Sequence, residues 1–204
     1  MIAACKAAVS IPLIVMIRPR GGGFVYSNDE RAVMLSDIIA GRELGADGIA
    51  FGGLNPDGTV DFDLARSVVE TAQGMSVTFH RAFDFTPDLT AAMETLIEAG
   101  VGRILTSGGA PSAAEGAEQI GALVRQAGSR ITVIAGGGIR QNNVRELTAA
   151  SGVREVHVRL TRIETTAAPV ARGLRLRKPL PEDDLAWEET DEQRVRDFVT
   201  TARQ

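Results

Sequence analysis

The feature that most constrains this chain is a repeated unit: a short apolar, β-branched run, then polar or glycine-rich residues, then a longer stretch of helical pattern. Residues 13–17 end in Arg18-Pro19-Arg20-Gly21-Gly22, and residues 77–79 end in His80-Arg81-Ala82-Phe83-Asp84. Residues 104–105 lead to Thr106-Ser107-Gly108-Gly109, and residues 131–135 to Gly136-Gly137-Gly138-Ile139. Strands of this kind, alternating with helices, belong to a parallel sheet buried on both faces. Such sheets bind ligands outside the carboxyl ends of their strands, where the loops converge.

Helix signals fill the intervals. Ser27 followed three residues later by Glu30 reads as a capping box opening a helix to residue 44, and 61–73 reads as the next helix. Thr86-Pro87-Asp88 predicts a helix with proline in its first turn, running through Glu98. Further helices are expected from about Ser112 to Gln126, over 142–150 and over 191–203, the last with Val195, Phe198 and Val199 on one face. Three helices hand over through Leu44-Gly45-Ala46, Ala99-Gly100-Val101 and Ser151-Gly152-Val153, where glycine supplies a left-handed cap.

The strands so read are 13–17, 48–52, 76–79, 103–106, 131–135 and 155–158. A closed (β/α)8 barrel needs eight. Chemically equipped residues after most strands favour a barrel over a doubly wound sheet, so the expectation is one domain over 1–204, an incomplete TIM-type barrel with about six strands. The first ten residues look like the tail of a helix already under way, so the chain is expected to begin inside a barrel whose first two strands it lacks. Strands 13–17 and 155–158 would then have unpaired edges, covered by the C-terminal tail or a second subunit. Residues 174–178 alternate like an exposed strand, and 179–189 read as an acidic, proline-bearing loop.

Composition excludes several classes. No apolar stretch approaches a membrane span, and no long apolar core marks a signal peptide, so a cytoplasmic protein is expected. A net charge of −4 without basic blocks leaves no footprint for nucleic acid. A single cysteine, Cys5, excludes an internal disulfide and a cysteine-rich zinc site.

Three constellations carry the candidate chemistry. Arg18 and Arg20 present rigid forks of donors suited to carboxylate or phosphate, unless a loop carboxylate holds them structurally. His80 and His157 both end strands, where an imidazole serves as general acid or base, as a metal ligand, or as a core hydrogen-bonding group. Asp84 stands close enough in sequence to orient His80 or to hold Arg81. Thr106, Ser107, Gly108 and Gly109, with Gly136, Gly137 and Gly138, form two glycine-rich loops that suit an anion, or are simply tight turns. The spacing is not that of a dinucleotide fingerprint.

These segments, read in order, resemble the CutC family, named for a role in copper homeostasis. The resemblance rests on Met16-Ile17-Arg18-Pro19-Arg20-Gly21-Gly22 with Phe24 and Tyr26-Ser27, Val77-Thr78-Phe79-His80-Arg81-Ala82-Phe83-Asp84, Arg103-Ile104-Leu105-Thr106-Ser107-Gly108, Ala135-Gly136-Gly137-Gly138-Ile139 and Glu155-Val156-His157. It implies a (β/α)8 fold, a cytoplasmic location, a homo-oligomer and a connection with copper. Family members carry two further N-terminal strands with cysteines and glutamates at their ends; here that region is absent, and Cys5 falls in the following helix. Gly23 stands where the family has Asp, and Arg159-Leu160 replace small residues after His157.

Three functions remain open. A copper-handling protein would have only His80, His157, Cys5 and five methionines as soft or imidazole donors, and no metal-ligand set is assigned. An enzyme acting on a small anionic, phosphorylated or not, substrate would use Arg18, Arg20 and Arg81 as anchors, His80, Asp84 and His157 for catalysis, and the glycine loops as a cradle. A degenerate barrel would have lost activity.

Overall fold

The computed structural model describes residues 1–165 and 186–203 of the chain. Their elements run α1 (Ile2–Ala8), β1 (Ile14–Met16), α2 (Asn28–Glu43), β2 (Gly48–Phe51), α3 (Phe62–Ala72) and β3 (Ser76–Phe79). A 3-10 helix (Arg81–Phe85) leads to α4 (Leu89–Glu98), β4 (Arg103–Thr106), α5 (Ala117–Ala127), β5 (Thr132–Gly136), α6 (Val144–Ser151) and β6 (Glu155–His157). After these come β7 (Thr161–Thr165), β8 (Ala186–Thr190) and α7 (Glu192–Ala202).

Strands β1 to β6 pair in sequence order, all parallel, and curl into a half-barrel flanked by helices. The six-stranded incomplete barrel expected from the sequence is therefore the fold. Apolar residues explain the curl's cohesion: Phe51, Phe79, Ile104, Met34, Ile38, Met93, Leu96, Ile120 and Leu123 are almost fully excluded from solvent. The Phe51 and Phe79 rings meet edge to face at 5.2 Å across β2 and β3.

Local signals set the joints. Ser27 Oγ accepts from the Glu30 amide while a Glu30 carboxylate oxygen accepts from the Ser27 amide, closing the capping box at α2. Gly45, Gly100 and Gly152 adopt φ of 88°, 87° and 69°, and the residues after them, Ala46, Val101 and Val153, turn back into the core.

Three boundaries and the path of the tail depart from the sequence reading. Pro87 lies outside α4, because the Asp88 carboxylate caps that helix by accepting from the Thr90 and Ala91 amides at 2.8 and 3.0 Å. Helix α5 starts at Ala117 instead of near Ser112, because a turn over 112–116 docks on the β5 loop through Ala113 N donating to Gly137 O at 2.9 Å. Residues 186–189 are strand, paired antiparallel with β7, where a loop over 179–189 was expected; 174–185 lie outside the described residues. The tail also adds no strand to the sheet. Because β7 and β8 satisfy each other's backbone groups, the outer edges of β1 and β6 have no paired strand among the described residues. The tail instead reaches the β6 side through α7, which buries Phe198 and joins the start of α6 through Gln141 Nε2 donating to Thr201 Oγ1.

Among the described residues no helix is long and apolar enough to cross a membrane.

Candidate functional site

The carboxyl ends of β3, β4 and β5 are knotted around one carboxylate. Asp84, on the 3-10 helix after β3, has a side chain only 5% exposed. Its Oδ1 accepts from Thr106 Oγ1, from the Ser107 amide at 3.0 Å and from the Gly109 amide at 3.1 Å. Its Oδ2 accepts from Arg81 Nε at 2.7 Å. Arg81 continues across the sheet, donating from Nη2 to Ser107 Oγ at 2.7 Å. Gly137, at φ 106°, lets the guanidinium lie against the β5 turn: a Cβ there would stand 2.9 Å from Arg81 Nη1. The Ser107 and Gly109 amides of this loop, which the sequence offered for a ligand anion, donate in this structure to the chain's own Asp84. Asp84 holds Arg81 and does not orient His80.

His80 faces the other way. Its backbone N donates to Phe51 O, and its imidazole fits over Gly52, where a Cβ would fall 2.2 Å from the ring. Nδ1 accepts from the Ala82 amide at 3.1 Å, which fixes the proton of the neutral ring on Nε2. The residue is 5% exposed, and Nε2 is buried with no hydrogen-bond partner. Burial, with the Arg18 charge adding to it, pushes the His80 pKa down to about 4, so the ring is neutral at physiological pH.

The loop after β1 closes over this imidazole. The Phe24 ring packs 5.2 Å from the His80 ring and 5.5 Å from the exposed Phe85. The Arg18 guanidinium stacks 4.9 Å over Phe24 and donates to Gly22 O at 2.8 Å. Tyr26 is 5% exposed, and its hydroxyl is the second buried polar atom without a hydrogen bond. Burial raises the Tyr26 pKa, against smaller opposing effects of the Arg18 and Arg20 charges and of Arg18 as a polar neighbour that approaches the hydroxyl without completing a well-formed hydrogen bond, so the phenol keeps its proton. Among the described residues, Tyr26 Oη and His80 Nε2 are the only buried side-chain polar atoms left unpaired, each at a cost of about 1–3 kcal/mol. Arg20 is otherwise engaged: it pairs with Glu30 and donates to Val25 O at 2.8 Å and Gly23 O at 3.0 Å.

The remaining candidates lie apart from His80. Gly136 packs against the Leu105 side chain and beside His157 Cβ, and the carbonyls of Gly137 and Gly138 accept from Ala113 N and Asn143 Nδ2. His157 is exposed at the end of the edge strand β6, where it lines a cavity of about 350 Å³ with Leu160, Val195, Phe198 and Val199. Gly108, at φ 74°, packs on Gly116, and its amide donates to Thr106 Oγ1. Cys5 is exposed on α1. No group of three His, Cys, Asp or Glu side chains among the described residues is placed to hold a metal ion. Sequence reasoning passed over Tyr26, Phe24 and Gly52 as site residues. The Gly52-Gly53 pair directly after β2 was the available signal, since it stands where other strands carry their loop residues.

The pattern that defines the CutC family matches residues 1–162, a stretch that contains every residue of both clusters. A CutC family protein of Xylella fastidiosa is 45% identical over 157 residues, which are 77% of this chain and 59% of that one. The human copper homeostasis protein cutC homolog is 47% identical over 152 residues, 74% of this chain and 56% of the human protein. The chain thus spans less than two thirds of the length of these relatives. The crystal structure of a Streptococcus agalactiae copper homeostasis protein CutC superposes with a TM-score of 0.73 at 32% identity, covering 76% of this chain and 78% of that one.

Proposed function

The chain belongs to the CutC family, and from that premise we propose that it serves copper homeostasis, the role named for its human relative. The observation that carries this reading is the 47% identity to that relative over 152 residues, 74% of this chain. The proposed protein works in the cytoplasm, as a single domain over 1–204 that self-associates. Support for association comes from the outer edge of β1, which has no pairing strand among the described residues and whose Ile14 and Met16 are 44% and 57% exposed.

The donors present do not fit a direct Cu(I) site on this chain. Cu(I) selects thiolates and thioethers; Cys5 is the one sulfhydryl in the sequence, exposed on α1, while of the methionines Met34 and Met93 are buried in the core and Met1 and Met16 are exposed at the chain start and on the edge strand β1. His80 offers Nε2 as a protonated donor, not a lone pair, while its Nδ1 is already engaged. The copper role is therefore assigned to the protein's action on another molecule.

A second reading, an enzyme or binder for a small anionic ligand, is favoured by one observation: two buried, unpaired donors lie beside the Arg18 charge. In that reading Arg18 is the anchor, His80 the acid or hydrogen-bond donor, and Asp84 with Arg81 the brace that positions the strand ends. Growth under copper challenge tests the first reading, using cells that make the protein, cells deleted for it, and cells complemented with Arg18→Ala. Loss of copper tolerance on deletion is expected, and unchanged tolerance would overturn the proposal. Thermal protection by small anions tests the second.

A further inference from the structure

We propose that His80 Nε2 and Tyr26 Oη are the fixed donors of a binding site for a small monocarboxylate, with Arg18 as its single charged anchor. This rests on the small-anion reading above and narrows it to one ligand class.

Buried polar groups in folded proteins are paired almost without exception, so an orphan needs an explanation. Here there are two, on different elements: His80 Nε2, whose ring packs on Phe24 beneath the Arg18 guanidinium, and Tyr26 Oη, which has Arg18 as a polar neighbour. Both are hydrogen donors. The Ala82 amide points at His80 Nδ1 and so forces the proton onto Nε2, and the buried Tyr26 phenol keeps its own. Two O–H or N–H donors beside a cation call for an oxygen acceptor, not for a metal.

Charge selects among acceptors. Arg20 is committed to Glu30 and the neutral His80 adds no charge, whereas Arg18, the cation stacked over Phe24, has no carboxylate partner among the described residues. A single positive charge balances a carboxylate. A phosphate dianion calls for more charge and for a nest of amides, and the nest at Ser107 and Gly109 is filled by Asp84. Phe24 and Phe85 offer an apolar wall for a short hydrocarbon body.

The site is closed in this structure. Arg18 leans over Phe24 onto Gly22 O, in a loop whose consecutive glycines, Gly21, Gly22 and Gly23, allow it to move; Gly22 already sits at φ 83°. Admission of a carboxylate exchanges the Gly22 carbonyl for the ligand as the Arg18 acceptor and supplies both orphans with partners.

The test is a titration of the whole chain, ¹⁵N-labelled at histidine, with acetate, and separately with inorganic phosphate. Saturable movement of the His80 Nε2–H signal with acetate is expected, weakened about tenfold or more in Arg18→Gln and by a smaller factor in Tyr26→Phe. Arg18 is exposed and Tyr26→Phe removes one oxygen, so both variants should keep the wild-type circular dichroism. A response to phosphate without one to acetate would overturn the carboxylate assignment and leave an anion site standing. Silence to both would remove the small-anion reading as well.

Discussion

Two parts of the same barrel mouth treat their polar groups in opposite ways. Around Asp84, donors from the ends of β3 and β4 all find acceptors, and Arg81 carries the network on to β5. Around His80, a short distance along the chain, two donors are buried with nothing to bind. The first region has the glycines and charges usually taken as a ligand cradle. The second has aromatic rings and a strand-end histidine. The contrast teaches that a loop rich in donors marks a binding site only if its donors are still available; a satisfied network is structure.

Breaking the satisfied side should have the largest effect. Asp84→Ala leaves the Ser107 and Gly109 amides, Thr106 Oγ1 and Arg81 without their acceptor in a half-buried setting, and should destabilise the fold by about 3 kcal/mol or more. Thermal denaturation reads this as a fall of about 6–12 °C in Tm. A change under about 1 kcal/mol would mean that the network is incidental.

The unsatisfied side has its own signature in acid. The unfolded imidazole gains a proton near its ordinary value of 6.5, whereas the folded one resists until about 4. Between these values the unfolded state holds more protons, so stability falls as pH drops from 6.5 toward 4, by about 3 kcal/mol in all, and levels off below. Glu94, held down to about 2 by Arg130 and Gln126, loses its contribution in a lower window, from 4.5 to 2, so the two are separable. Urea denaturation between pH 6.5 and about 5, above the carboxylate window, should show the upper slope in the wild type and a much smaller one in His80→Gln.

The smallest effect sharpens the comparison most. Tyr26→Phe deletes a hydroxyl that has no partner, so stability should hold or rise by about 1 kcal/mol in the absence of ligand. Chemical denaturation that shows a loss of that size would mean the hydroxyl is bonded after all.

The sequence made the strand order and the hinges plain because both depend on local chemistry. The glycine caps at Gly45, Gly100 and Gly152 and the Ser27 capping box are specified within a few residues. The site was legible only as a set of positions. That Asp84 would fill the loop of Thr106 to Gly109 depends on a contact between residues more than twenty apart, and the 3-10 helix that aims it replaced the simple strand end read from His80 onward. Tyr26 matters through what packs on it, which no spacing reveals, whereas Gly52 could have been marked by its place directly after β2. Residues 186–189 looked like loop because Glu188 and Glu189 are polar; their strand is fixed by pairing with β7.

The account turns on the proton of His80. Nitrogen-15 chemical shifts of that imidazole, followed from pH 7 down to about 5, should show a neutral ring with hydrogen on Nε2 and a bare Nδ1 throughout. A proton on Nδ1, or a ring that charges near pH 6.5, would contradict it.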